Sequence, residues 1–440
     1  MYSAPLSRRT LLGGVLAGSA LAAAGCGGPA SSPTLPAPSS TEVVGKTELT
    51  VYAWTNGATI DQNFKKSVEA FNKEMAGKFT AKINFLPYDQ YWQKIQLQYA
   101  SNQPFDMYYW DVQAYAHYKK NLLQNVQPAV DGTELGDASK YPVDLFKPWR
   151  FDGTNLYALP ENVQSLAFFY NKTHFDKAGI AYPDATWTWD KVQEAAAELT
   201  QKSGSKVSRW GVDIGDLGVW WGLQTLAWSA GTAFFDKPLE PTAFQMTDPK
   251  VIEAMRFVQD LMWAKHIAPR PDERDANNQS GGFAGGVVSM MPGGTWNITS
   301  YQQMKDEWDM APLPLYQGKS VMPYFLGGWV IPKQSAALSA AQAFATWRAT
   351  KFQDQMAADH DWIPVQNAAR TSPKMLEGMP KGFQAAMQAL PSAQIGDLYH
   401  ANSQKILNEV FGPAFDNLFR NKNTPEEVAN TIQEGATALL

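Results

Sequence analysis

The chain has 440 residues, 45% of them hydrophobic and 18% charged, with 37 basic against 42 acidic side chains and a net charge of −5. An acidic balance of this kind argues against nucleic acid as a partner. One cysteine, Cys26, excludes any intramolecular disulfide, so the fold rests on its core alone.

The first 25 residues carry Arg8 and Arg9 ahead of an apolar run from Leu11 to Ala24 and contain no acid, the layout of an export signal. The run is too short to span a bilayer, which makes it a signal core and not an anchor helix. Ser7-Arg8-Arg9-Thr10-Leu11-Leu12 resembles a twin-arginine signal, an address that implies export of the folded protein. Ala23-Ala24-Gly25-Cys26 resembles a bacterial lipobox, with Ala23 where Leu is preferred, and this implies that Cys26 becomes a lipid-modified first residue. Ordinary signal-peptidase cleavage is the other reading of the same site. Removing Arg8 and Arg9 with the leader leaves 35 basic against 42 acidic residues, a net charge of −7. Residues 26–46 hold the cysteine and a Pro/Ser-rich spacer that cannot build a core. Extended at ~3.1 Å per residue, the spacer reaches roughly 60 Å.

Leu49, Val51 and Ala53 alternate with polar or aromatic neighbours, which predicts a strand; Ile60, Phe64, Val68, Phe71 and Met75 follow at helical spacing. Phe79, Ala81, Ile83 and Phe85 alternate again, Trp92, Ile95 and Tyr99 mark a second helix, and Phe105 to Trp110 reads as a third, buried strand. This order predicts a doubly wound α/β lobe, whose ligands bind beyond the carboxyl ends of the strands. Trp54, Trp110 and Asp111 stand at those ends. After Tyr157-Ala158-Leu159-Pro160 comes Glu161-Asn162-Val163-Gln164, then an apolar strand from Ser165 to Tyr170, opening a second α/β series. Thr188 predicts an N-cap for a helix with the stripe Val192, Ala195, Ala196 and Leu199. A helix from Leu223 to Ser229 follows Trp220-Trp221.

Several stretches, in order, resemble the family 1 extracellular solute-binding proteins, the maltose- and oligosaccharide-type receptors of ABC importers. They are Tyr157-Ala158-Leu159-Pro160 with Tyr170-Asn171-Lys172, Pro183 with Thr186-Trp187-Thr188-Trp189-Asp190, and Phe283 to Met291 followed by Gly294-Thr295-Trp296. Gly327-Gly328-Trp329-Val330-Ile331-Pro332 and Trp362-Ile363-Pro364-Val365 complete the set. The resemblance implies two α/β lobes joined by crossing segments that close like a hinge. Carried onto this chain, lobe one is 47–160 plus 328–372 and lobe two is 161–327 plus 373–440.

It further implies a monomer, lipid-anchored outside the cell membrane, that needs no cofactor or metal and passes a sugar to the importer's permease subunits. Flat aromatics cover the C–H faces of a sugar and planar polar groups hold its hydroxyls. The expected ligand contacts are Trp54, Trp110, Asp111, Glu161, Asn162 and Gln164, then Trp220 or Trp221, Gly294, Trp296, Trp329, Trp362 and Tyr399. One of Trp220 and Trp221 is expected in the core, because neighbours at a helix start point in different directions. Trp329 and Trp362 either reach the cleft or pack beneath it, and Gln164 stands where the family often places an acid or amide. Gly293-Gly294 would let the backbone approach a ligand. The rival class is a glycoside-active enzyme using Asp111 and Glu161 as its carboxylate pair. A phosphorylated solute such as a glycerophosphodiester is the alternative ligand. The five histidines show no metal-binding spacing, and no Gly-x-Ser-x-Gly elbow or phosphate loop occurs.

Overall fold

The computed structural model describes residues 47–101, 105–110, 112–204, 206–277 and 282–440; Cys26 and Asp111 lie outside them. Strand β1 (Thr47–Trp54) buries Leu49, Val51 and Ala53, and the helix Ala58–Glu74 lays Ile60, Phe64, Val68 and Phe71 inward at the expected spacing. Strand β2 (Phe79–Leu86) and strand β3 (Met107–Tyr109) pair in parallel with the two edges of β1, connected by the helix Tyr88–Ala100. β3 is shorter than the apolar run from Phe105 to Trp110; the end residues Phe105 and Trp110 are buried too, and the Trp110 amide donates to the Gly328 carbonyl at 2.8 Å.

Strand β4 (Leu159–Asn171) is one unbroken, wholly buried run of 13 residues, so the predicted crossover and the strand after it are a single element. Six further strands follow: β5 (Gln201–Ser203), β6 (Lys206–Val212), β7 (Val288–Gly294), β8 (Trp308–Ala311), β9 (Pro323–Val330) and β10 (Gln394–Ile395). The described strands form one sheet in the order β2-β1-β3-β9-β4-β7-β6-β5, with β10 on β9 and β8 on β4. The first half of β4 pairs antiparallel with β9, from Leu159 opposite Trp329 to Ser165 opposite Tyr324. Its second half pairs with β7 and β8, from Leu166 opposite Gly294 onward. The register shifts between Pro160 and Asn162, which makes Glu161 the extra residue of a bulge. Gly327 and Gly328 are required by proximity: a Cβ would lie 2.1 Å from the Tyr109 hydroxyl at the first and 2.2 Å from the Leu159 carbonyl at the second.

Two apolar cores lie against this sheet. One gathers Leu49, Phe71, Tyr109, Trp149, Trp329 and Phe344, and continues under the far half of β4 to Phe169, Phe283 and Tyr301. The other takes Phe168 on the opposite face of β4, with Trp187, Trp189, Leu223, Met255 and Phe415. Strand alternation on β4 is what divides them. Thr188 caps the helix Trp189–Leu199 by accepting from the Lys191 amide, and Val192, Ala195, Ala196 and Leu199 are buried. The helix Trp220–Ser229 begins earlier than the predicted Leu223. Its first turn sits tight on the turn Gly215–Gly218, where a Cβ on Gly222 would lie 1.8 Å from the Asp216 carbonyl.

Candidate functional site

Beyond the carboxyl ends of β1 and β3, Trp54 is half-buried and braced edge-on by Tyr88, Tyr91 and Tyr109, at centroid distances of 5.5, 5.4 and 4.9 Å. Its indole N–H donates to Asn56 Oδ1 at 3.1 Å, which fixes the ring's orientation. Trp362, also half-buried, stacks on Tyr109 at 6.5 Å and 28°. The segment that carries Trp362 is pinned to the crossover, the Val163 amide donating to the Ile363 carbonyl and the Val365 amide to the Glu161 carbonyl.

A second aromatic group assembles from three elements. Trp221 in the first turn of its helix, Trp296 after β7 and Phe325 on β9 pack mutually edge-to-face, with centroids 5.2–5.7 Å apart. All three keep part of their surface exposed. Trp296 folds back over Gly294, where an added Cβ would stand 2.0 Å from the indole. The Gly294 amide donates to Asp216 Oδ2 at 2.7 Å, and burial pushes the Asp216 carboxyl up to about 6. Trp220, one residue before Trp221, turns the other way into the second core, against Phe235 and Phe411.

Buried amides on β4 join the two groups. Asn162 Nδ2 donates to the Tyr109 hydroxyl at 2.6 Å, and Gln164 Oε1 accepts from Thr295 Oγ1 at 2.6 Å. Gln164 Nε2 reaches Asn162 Oδ1 only at 3.5 Å, a marginal bond. Gln164 is 6% exposed, against 1% for Asn162 and 0% for Glu161, which makes its amide the most accessible of the three crossover groups.

Four of the sequence-selected residues sit deeper. Trp110 is buried against Trp149, Phe151 and Tyr399, so it meets Tyr399 but within a sealed aromatic patch. Tyr399 is wholly buried and its hydroxyl donates to Asp397 at 2.9 Å. Trp329 is wholly buried, its ring against Tyr109, Phe64 and Phe344 and its indole N–H on Glu161 Oε2 at 2.6 Å. Glu161 is enclosed, paired with Arg348 at 2.5 Å, so its carboxylate faces the core beneath the aromatic surface. Tyr109, Phe325 and Thr295 were not selected from the sequence. Phe325 stands opposite Gln164 in the β4–β9 register, a long-range pairing with no local signal in the sequence; Tyr109 was masked by its neighbour Trp110.

A family model described as bacterial extracellular solute-binding protein matches residues 54–351. The maltodextrin-binding protein MdxE of Bacillus subtilis is 23% identical over 221 residues, 49% of this chain and 51% of that protein. The arabinooligosaccharide-binding protein of Halalkalibacterium halodurans is 23% identical over 304 residues, 66% of this chain and 59% of that protein. The chain therefore spans about half the length of the relatives it matches. The structure of the ABC substrate-binding protein Lmo0181 from Listeria monocytogenes in complex with cycloalternan superposes with a TM-score of 0.80 at 20% identity, covering 90% of this chain and 99% of that one. At that identity the likeness is one of fold.

Proposed function

The chain belongs to the bacterial extracellular solute-binding proteins, a family of binding proteins and not of enzymes, and from that premise we propose that it captures a neutral sugar and delivers it to an ABC importer's permease. The observation that carries this reading is the pair of partly exposed tryptophan groups, Trp54 with Trp362 and Trp221 with Trp296, joined by the amides of Asn162 and Gln164. Apolar ring faces take the C–H patches of a sugar, and planar amides take its hydroxyls. Near these groups the cations Arg348 and Arg274 are already paired, with Glu161 and Asp213, which favours a neutral ligand over a phosphorylated one. Similarity to a maltodextrin-binding and an arabinooligosaccharide-binding protein favours an oligosaccharide.

The binding cycle in this reading is closure of lobe one (47–160 plus 328–372) on lobe two (161–327 plus 373–440), driven by a ligand that touches both. Cys26 carries a lipid, and residues 26–46 tether a monomer outside the membrane after twin-arginine export. Membrane fractionation of a Cys26→Ser variant tests the anchor: a variant that stays equally membrane-bound removes it.

Thermal-shift titration tests the ligand class, using glucose, maltotriose, arabinotriose and cycloalternan with glycerophosphocholine as the charged contrast. A sugar at 100 times its Kd adds about 2.7 kcal/mol and raises the melting temperature. A shift with glycerophosphocholine and none with any sugar would overturn the sugar reading.

A further inference from the structure

Glu161 and Arg348 are 0% and 2% exposed, and the binding reading gives neither a ligand to touch. Arg348 Nε donates to Glu161 Oε2 at 2.5 Å and Nη2 to Oε1 at 3.2 Å, a fork on one carboxylate. Arg348 Nη1 donates to Ser67 Oγ at 2.5 Å, and the guanidinium lies 4.0 Å from the Phe64 ring and 4.9 Å from that of Phe352. Withdrawing both charges from water costs as much as their attraction returns, and well-packed apolar residues often serve stability as well or better. Stability alone therefore does not account for the pair. What it does achieve is orientation.

Glu161 is the extra residue of the β4 bulge, and a bulge re-aims the side chains beside it. With its carboxylate tied to Arg348, the Glu161 carbonyl faces Gln353 Nε2 at 2.9 Å and the Val365 amide at 3.2 Å, which holds the segment bearing Trp362. The same carboxylate takes the Trp329 indole N–H at 2.6 Å; the Trp329 ring lies 5.0 Å from Tyr109, and Tyr109 contacts both Trp54 and Trp362. Two short routes, one through backbone and one through rings, thus run from the buried charge to the half-buried tryptophans.

We propose that Glu161 and Arg348 are a positioning pair, which sets the geometry of the Trp54–Tyr109–Trp362 surface and thereby its affinity for ligand. That this surface binds ligand rests on the reading above; that the pair orients it does not. The test compares wild type with the double variant Glu161→Met/Arg348→Met, which removes both charges and keeps apolar volume. The measurements are ligand-free melting temperature, near-ultraviolet circular dichroism without ligand, and calorimetric affinity for whichever of maltotriose, arabinotriose or cycloalternan the wild type binds. The positioning role predicts a melting temperature lowered only as far as the Trp329 indole's loss of its acceptor requires, an altered near-ultraviolet spectrum and about tenfold weaker binding. An unchanged spectrum with affinity within about twofold would overturn it. If the wild type binds none of these sugars, the affinity arm bears on the choice of ligand alone, and the ligand-free spectrum still decides the positioning role. If the double variant does not fold, Arg348→Lys decides instead. It keeps the charge and loses the fork, so a folded variant with altered spectrum and weakened binding supports the pair, and one like wild type overturns it.

Discussion

The Trp54 and Trp221 groups present similar aromatic surfaces on unlike supports. Trp54 and Trp362 rest on Tyr109 and Trp329, with a buried ion pair behind them. Trp221 and Trp296 rest on close backbone approach: Gly294 beneath the Trp296 indole, Gly222 against the Asp216 carbonyl, and a single carboxylate holding the Gly294 amide. Trp54 has three tyrosine rings to take up its load, whereas Trp296 has only Trp221 and Phe325 beside it and a glycine beneath. The second group should therefore be the more fragile.

The largest effect is expected at Trp296. Trp296→Ala should weaken sugar binding about thirtyfold, ~2 kcal/mol, and leave the ligand-free melting temperature nearly unchanged. Gly294→Ala should approach the same loss by displacing the same indole. Affinity within about twofold of wild type for both, measured by calorimetry, would take Trp296 out of the site. Trp54→Ala should cost less, about tenfold, since Tyr88, Tyr91 and Tyr109 still present aromatic surface. A larger loss at Trp54 than at Trp296 would reverse the ranking of the two supports.

The smallest effect separates the supports by pH. Burial raises Asp216 to about 6, above its unfolded value of about 3.9, so the folded protein binds the extra proton within that window. Stability should accordingly fall as pH rises from about 4 through about 6, and Asp216→Asn should remove that part of the fall. Asp361, beside Trp362 and hydrogen-bonded by Asn63, is raised by burial to about 7 and tilts the curve the same way. The Asp216→Asn variant should therefore keep a residual slope that extends to about pH 7. Melting curves between pH 4 and 8 with the slope of wild type would show that Asp216 titrates without consequence.

Periodicity made local elements legible: the strand, helix, strand, helix, strand order from Thr47 to Tyr109, the stripe Ile60 to Phe71 and the Thr188 cap all follow from local spacing. Long-range pairing was not legible in the same way. Nothing near Glu161 in the sequence indicates that a charge 187 positions away will meet it, nor that a bulge turns it inward. Trp110 was chosen as an aromatic at a strand end and Tyr399 by resemblance to a family contact, and the structure sets them against each other in a closed patch, because either signal marks a location and not a direction. Tyr109 went unselected for the converse reason: in a strand, neighbours point to opposite faces, and choosing Trp110 passed over the residue that meets Trp54.

One consequence of β4 concerns cooperativity. Its 13 residues are hydrogen-bonded along the first half to β9 and along the second to β7 and β8, with no loop between. Two cores linked by a flexible connector can melt in turn, each with its own midpoint. Here, loss of either core strips the pairing from half of a strand whose other half belongs to the sheet's remainder, so partial unfolding exposes backbone groups on both sides of the junction. The arrangement couples the two cores as segments of one spring, and amides near Gln164 and Ser165 should be among the last to exchange with solvent.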